Sequence, residues 1–169
     1  DKSKKDLKTL LPIVEKVVAF ESTMKGLSND DLRSKTLEFK QRIKEGTKSI
    51  SDKISELKAE IEGANIDRKE EIYKQIDTLR DDEYNASEKV LEEILPEAFA
   101  LVKETARRFT ENETIPVIAT PFDRELSGLK DNVELDGDKA IYYNSWDATG
   151  KQITWDMIHY DVQLIGGSV

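Results

Sequence analysis

Up to Phe109, apolar positions recur at the three- and four-residue intervals of a helix. Leu7, Leu10, Leu11, Val14, Val17 and Val18 form the first such run. In Leu27-Ser28-Asn29-Asp30-Asp31-Leu32, Ser28 reads as an N-cap and Asp31 stands where a capping box carries its acid. Leu27 is set to staple onto Leu32 across that cap. Leu32, Thr36, Phe39 and Ile43 mark one face of the next helix, and Gly46 reads as its stop. Ile50, Ile54, Leu57 and Ile61 then repeat at intervals of 4, 3 and 4. Gly63-Ala64-Asn65 breaks the pattern, Asp67 with Glu70 reads as a second capping box, and Ile72, Ile76 and Leu79 resume at 4 and 3. Two antiparallel helices joined by a short turn satisfy this pattern. Each heptad run is too short for a free-standing coiled coil, so a protruding helical hairpin is expected.

The run from Val90 to Phe109 is the most apolar, and its apolar positions cover more than one face, so it is expected at the centre of the core. Pro96 either kinks this helix or lies in its first turn, with the start near Glu93. Beyond Phe109 the period shortens. Ile115 to Ala119 is β-branched and short. Val133-Glu134-Leu135, Asp136-Gly137-Asp138 and Ile141-Tyr142-Tyr143 read as a hairpin with an Asp-Gly turn. Gln152 to Trp155 is a candidate third strand, and a last helix is expected to start at Asp161 as N-cap. The fold class is therefore α+β, mainly helical, with a helical hairpin and a small antiparallel β element.

Charge follows the same division. Residues 1–109 carry 22 basic and 24 acidic side chains, and residues 110–169 carry 4 and 11. Over 169 residues the net charge is −9, which argues against a nucleic-acid surface. There is no cysteine, which excludes disulfides, thiolate metal sites and cysteine nucleophiles. The one histidine, His159, excludes a multi-histidine metal site within one chain. No apolar run approaches the roughly 20 residues of a membrane span, and the opening residues carry no signal-peptide pattern. The chain begins at Asp1 rather than Met and stops at Ile165-Gly166-Gly167-Ser168-Val169, where an apolar segment is starting; a piece of something larger is expected.

Several chemistries find no support. No G-x-x-x-x-G-K-[ST] or G-x-S-x-G occurs. Asp136-Gly137-Asp138 lacks the ligand spacing of an EF-hand. Among 35 acids, carboxylate pairs at glycosidase-like spacing carry no information. Two glycosylation sequons, at Asn85 and Asn112, are the kind that chance supplies. Lys2, Lys4, Lys5 and Lys8 precede an amphipathic helix; they read either as a solvated helix start or as a patch for anionic lipid or an acidic partner.

One constellation can do recognition chemistry. In Trp155-Asp156-Met157-Ile158-His159-Tyr160-Asp161-Val162-Gln163, a glutamine follows an aromatic by three residues, and a methionine precedes that aromatic by three. The Gln163 amide can bond adenine N6 and N7 in bidentate fashion. Tyr160 can pack on the base plane, and Met157 offers a soft apolar wall. The same residues also fit a purely structural helix start.

His159-Tyr160-Asp161-Val162-Gln163-Leu164-Ile165-Gly166-Gly167 resembles the segment that opens the first nucleotide-binding domain of the SecA family of protein-translocation ATPases. Leu95 to Glu104 resembles the helix that precedes it, and Leu27 to Thr36 with Phe39 resembles the family's amino-terminal helical region. These three matches occur in order and are spaced across the chain. Ser168 departs from the apolar residue usual there. Residues 48–92 and 111–155 resemble the insertions of longer SecA variants in one bacterial lineage.

The resemblance implies a division into amino-terminal helices 1–47, a hairpin insertion 48–92, a core helix 93–110, a β-rich insertion 111–155 and the start of the nucleotide-binding domain at 156–169. It implies a RecA-like P-loop α/β parent fold whose parallel sheet is largely absent from this chain. It implies a cytoplasmic motor, peripheral on the inner face of the membrane, that uses ATP with Mg to drive preproteins through the SecY channel. Anionic phospholipid is then a further partner. Met157, Tyr160 and Gln163 would contact adenine, with the P-loop beyond Val169, so no catalytic residue and no metal site are expected here and the chain alone should not hydrolyse ATP. Val102, Phe109, Leu164 and Ile165 would lack the parent's packing partners, which favours self-association. The alternative is a non-enzymatic helical interaction module built on the hairpin, or a hairpin with no partner at all.

Overall fold

The computed structural model describes residues 2–160 and 163, with side chains from Pro12 onward. Three long helices come first: α1 (Lys2–Gly26), α2 (Asn29–Glu60) and α3 (Ile66–Glu111). A β-rich portion follows, with β1 (Thr114–Ile118), α4 (Pro121–Ser127), β2 (Val133–Asp136), β3 (Lys139–Tyr143), β4 (Ser145–Ala148) and β5 (Lys151–Thr154). The mainly helical α+β class is as expected from the sequence. Two compact units emerge, one of residues 1–35 with 96–169 and the other of residues 36–95.

In the first unit, Val17, Met24, Leu32 and Ala100 are buried together, with Phe20, Leu27, Phe99 and Leu101 against them. The α2 cap forms as read. Asp31 donates its backbone N–H to Ser28 Oγ at 3.0 Å, and Leu27 and Leu32 meet in the core. Ser28 Oγ in turn donates to Asp31 Oδ2 at 2.7 Å. Val18 departs from the apolar face and is half exposed. The Leu7, Leu10, Leu11 and Lys2 to Lys8 side chains lie outside the described residues, as does the helix start at Asp161.

The second unit is the helical hairpin. Ile54, Ile72 and Ile76 form its core, lined by Ile50, Leu57, Ile61 and Leu79. The turn falls where the glycine and asparagine predicted it, through a single 3-10 turn at Ile61–Gly63. The cap there is Asn65 rather than Asp67: Arg68 donates its backbone N–H to Asn65 Oδ1 at 2.9 Å. Gly46 does not stop α2, which continues to Glu60. It is small for another reason: a Cβ at Gly46 would lie 2.6 Å from Val90 Cγ2. Of the two readings of Pro96, the first-turn one is excluded: α3 starts thirty residues earlier, at Ile66, and carries Pro96 in its interior.

The β portion packs on the end of α3. β1, β3 and β2 form an antiparallel sheet in that order, with Ile115, Val117 and Ala140 buried against Phe109. Phe109 is thus partly buried against this chain's own sheet, whereas Val102 is 49% exposed. The β2–β3 hairpin pairs Asp136 with Lys139, so its two loop residues are Gly137 and Asp138, one position later than an Asp-Gly turn. Gly137 takes φ 61°, which glycine adopts without strain. Residues 151–154 are not a third strand of this sheet. They pair with Ser145–Ala148 in a separate two-stranded ribbon. The first turn of α2 covers the β1 edge: Asn29 Nδ2 donates to Pro116 O at 3.1 Å, and Ile118 N–H donates to Asp30 Oδ1 at 2.8 Å.

Candidate functional site

The C-terminal half of α3 is the platform. Arg108 is nearly buried on it and joins three elements. Its Nε donates to Glu104 at 2.8 Å, its Nη1 to Asn29 Oδ1 at 2.6 Å, and its Nη2 to the carbonyls of Met24 at 3.2 Å and Leu27 at 2.7 Å. The carbonyls at the end of α1 are thereby satisfied by a cation that also suits the helix dipole. Burial pushes the Glu104 carboxyl up, but the hydrogen bonds from Arg107 and Arg108 outweigh it and hold the group below its ordinary range.

The segment after β5 runs along this platform. The side chain of Ile158 lines a small cleft with Glu21, Lys25, Ala100, Lys103, Glu104 and Arg107. Within it, Lys103 bonds Glu21 at 2.5 Å and Arg107 bonds Glu104 at 2.7 Å, so most of its charge is paired.

The three residues singled out in the sequence are placed as follows. Tyr160 and Gln163 are brought together. Gln163 N–H donates to Tyr160 O at 2.9 Å, and Tyr160 N–H donates to Gln163 Oε1 at 2.8 Å. The amide of Gln163 is therefore pinned through its oxygen, which retains a second lone pair, while Nε2 remains a donor. Both residues are exposed, Tyr160 to 73%. Met157 is 41% exposed. Its carbonyl accepts from Trp155 Nε1 at 2.8 Å and from Thr110 Oγ1 at 3.4 Å, so it is tied to α3 and to Trp155 rather than to Tyr160 or Gln163. An aromatic face, a fixed amide and an exposed thioether suit a flat heteroaromatic base with adjacent donor and acceptor. Among the described residues, no group of three His, Asp or Glu side chains is placed to hold a metal ion.

Sequence reasoning missed Trp155, Asn144 and Thr110 as supports of this segment; nothing in their spacing marks them. It also missed Asp123, although Thr120-Pro121-Phe122-Asp123 carries a readable signal of N-cap, proline at the first helical position and acid at the third.

The family model described as the SecA DEAD-like domain matches residues 1–169. The protein translocase subunit SecA of Christiangramia forsetii is 56% identical over 168 residues, covering 99% of this chain and 15% of that protein. The SecA of Flavobacterium psychrophilum is 54% identical over 170 residues, and that of Porphyromonas gingivalis strain W83 is 49% identical over 169 residues. This chain thus spans about 15% of the length of the curated relatives it matches. No solved structure matches it. With a family model matched from end to end, and relatives about half identical across the same span, the chain belongs to the SecA family.

Proposed function

We propose that the chain works as part of a SecA motor that couples ATP binding and hydrolysis to preprotein translocation through the SecY channel. In this reading it contributes the adenine-recognition edge of a RecA-like P-loop nucleotide-binding domain. The observation that carries it is the pair of hydrogen bonds between Tyr160 and Gln163, which pre-orients the amide in a chain of this family. Gln163 reads the adenine edge, Tyr160 packs on its face, and Met157 walls its side. Bound ATP supplies the phosphoryl group whose transfer to water releases the energy. This chain's residues bind and orient the base and take no part in that transfer. Phosphate and Mg contacts supply most of the hold on ATP and all of the chemistry, and no P-loop motif occurs in these residues. The chain alone therefore holds ATP weakly and does not hydrolyse it.

The remaining assignments follow from the same reading: a cytoplasmic protein, peripheral on the inner membrane face, meeting preproteins and anionic phospholipid, with the 48–92 and 111–155 insertions set between family segments. The exposed Val102 is available for self-association of the isolated chain.

The test is an adenine-nucleotide titration, with and without Mg, of the chain and its Gln163→Ala variant, following amide signals of residues 157–160 and Gln163. Weak, saturable shifts that the variant loses are expected. Shifts indifferent to the substitution, or phosphate release above background by the pure chain, would sink the reading.

A further inference from the structure

We propose that Trp155 is a positioning residue for base recognition: its indole N–H fixes the Met157 carbonyl, and so sets where the Met157 side chain meets a purine. The proposal rests on the adenine reading of Met157, Tyr160 and Gln163 and adds to it a residue from outside the recognition segment's own family pattern.

Trp155 comes directly after β5 and is held at both ends. Its backbone N–H donates to Asn144 O at 2.8 Å, and its Nε1 donates to Met157 O at 2.8 Å. Asn144 is itself tied to the end of α3. Its Nδ2 donates to Phe109 O at 3.1 Å, and its backbone N–H donates to Glu113 O at 2.9 Å. Hydrogen bonds thus run from α3 through Asn144 and Trp155 to Met157.

Two donors reach the Met157 carbonyl, and they are not equal. Thr110 Oγ1 lies 3.4 Å from it, but that hydroxyl has one proton and also lies 3.0 Å from Ala106 O. The helix carbonyl is the nearer claimant. The indole nitrogen is a donor only and has no second acceptor here. Trp155 is the dedicated donor. Turning the Met157 peptide away would give up the shorter of its two hydrogen bonds, so the tryptophan favours one direction of the carbonyl. Three residues on lies Tyr160, so the same bond also sets the direction in which the chain approaches the amide-pinned Tyr160–Gln163 pair.

The test uses the full-length protein that carries this chain, as wild type and as Trp155→Phe, Thr110→Val and Gln163→Ala. Kd for ADP is measured by titration, and KM and kcat for ATP by hydrolysis. Trp155→Phe keeps a ring and removes the N–H. Loss of one such hydrogen bond is expected to raise Kd and KM about two- to tenfold, with kcat unchanged, because only base binding is touched. Thr110→Val is expected to do less. If Trp155→Phe leaves Kd and KM at wild-type values while Gln163→Ala weakens binding, the positioning role is overturned and the adenine reading stands. A fall in kcat without a change in KM overturns it as well. If Gln163→Ala has no effect, the adenine reading fails and takes this inference with it. Should Trp155→Phe lower the melting temperature, benzothienylalanine at position 155, with sulfur in place of the N–H, is judged by the same outcomes.

Discussion

Asp123 is wholly buried, and its carboxylate is met from every side. Arg33 grips it in bidentate fashion at 2.8 and 2.7 Å, the Thr120 backbone N–H and hydroxyl reach it at 2.7 and 2.8 Å, and the Tyr142 hydroxyl donates to it. Burial pushes this carboxyl up, but the Arg33, Tyr142 and Thr120 hydrogen bonds outweigh it and hold the group far below the usual carboxylate range. A depressed acid stabilises the fold above its unfolded pKa of about 4. That contribution erodes as the pH falls below this value. Tyr142 moves the other way: burial first, then the Asp123 carboxylate, push it up to about 12. Its contribution is complete below an unfolded pKa of about 10 and is lost as the pH rises through about 12. Asp123→Asn leaves Arg33, whose side chain is partly solvated, facing an amide and is expected to cost about 1.5–3 kcal/mol through the lost charge-assisted hydrogen bonds, read by denaturant unfolding. In the same variant the tyrosinate absorbance of Tyr142 should appear at lower pH than in the wild type; an unmoved alkaline titration would contradict the assigned bond. The contrast with Ser28 explains what a sequence lets one read at this scale. Ser28 and Asp31 are three residues apart and cap by local rules, whereas Arg33 and Asp123 are 90 apart and nothing in their neighbourhoods pairs them.

At the scale of elements, hydrophobic spacing was a good guide to where helices run and a poor one to where they end. The 4 and 3 intervals placed Ile54, Ile72 and Ile76 correctly in one core. Gly46 misled because a helix stop and a close helix contact call for the same residue, and only the facing chain distinguishes them. That chain presents Val90, whose Cγ2 would lie 2.6 Å from an added Cβ. Valine is stiff at χ1 within a helix, so it cannot swing aside cheaply. Glycine in an exposed helix interior ordinarily costs about 1 kcal/mol against alanine. Here the usual gain should be reversed. Gly46→Ala is expected to destabilise the hairpin by about 1–3 kcal/mol through overpacking, measured by hydrogen exchange at Ile54 and Ile76. Adding Val90→Ala should recover much of the loss. A stabilised Gly46→Ala single variant would mean that the two helices separate freely at this level. The start of α3 was misread for a related reason: proline suits the first turn of a helix, but tertiary packing also holds one inside, as in α3, which begins at Ile66.

Across the whole molecule, the residues proposed for base recognition and the hairpin core fall in different compact units. Met157, Tyr160, Gln163 and the supports Thr110, Asn144 and Trp155 belong to the unit of residues 1–35 and 96–169, and Ile54, Ile72 and Ile76 to the unit of residues 36–95. The chemistry proposed for the first set is read from an aromatic, an amide and a thioether at three-residue spacing; its supports were not legible, because an indole N–H aimed at a carbonyl leaves no pattern in sequence. The close approach of Gly46 and Val90 makes the division testable. Two helix backbones this near can be joined by a short flexible loop in place of the chain beyond them, within the roughly 2–8 residues usual for helix–helix connections. If the chain acts as a motor's base-reading edge, that excision in the full-length protein should leave the Kd for ADP within about twofold of wild type, a difference under about 0.5 kcal/mol. A large loss of nucleotide affinity would show that the hairpin takes part in base recognition and that the two units are coupled. Intact nucleotide binding with lost preprotein transport would instead give the hairpin a partner of its own, and would join the interaction-module reading to the motor reading on separate units of one chain.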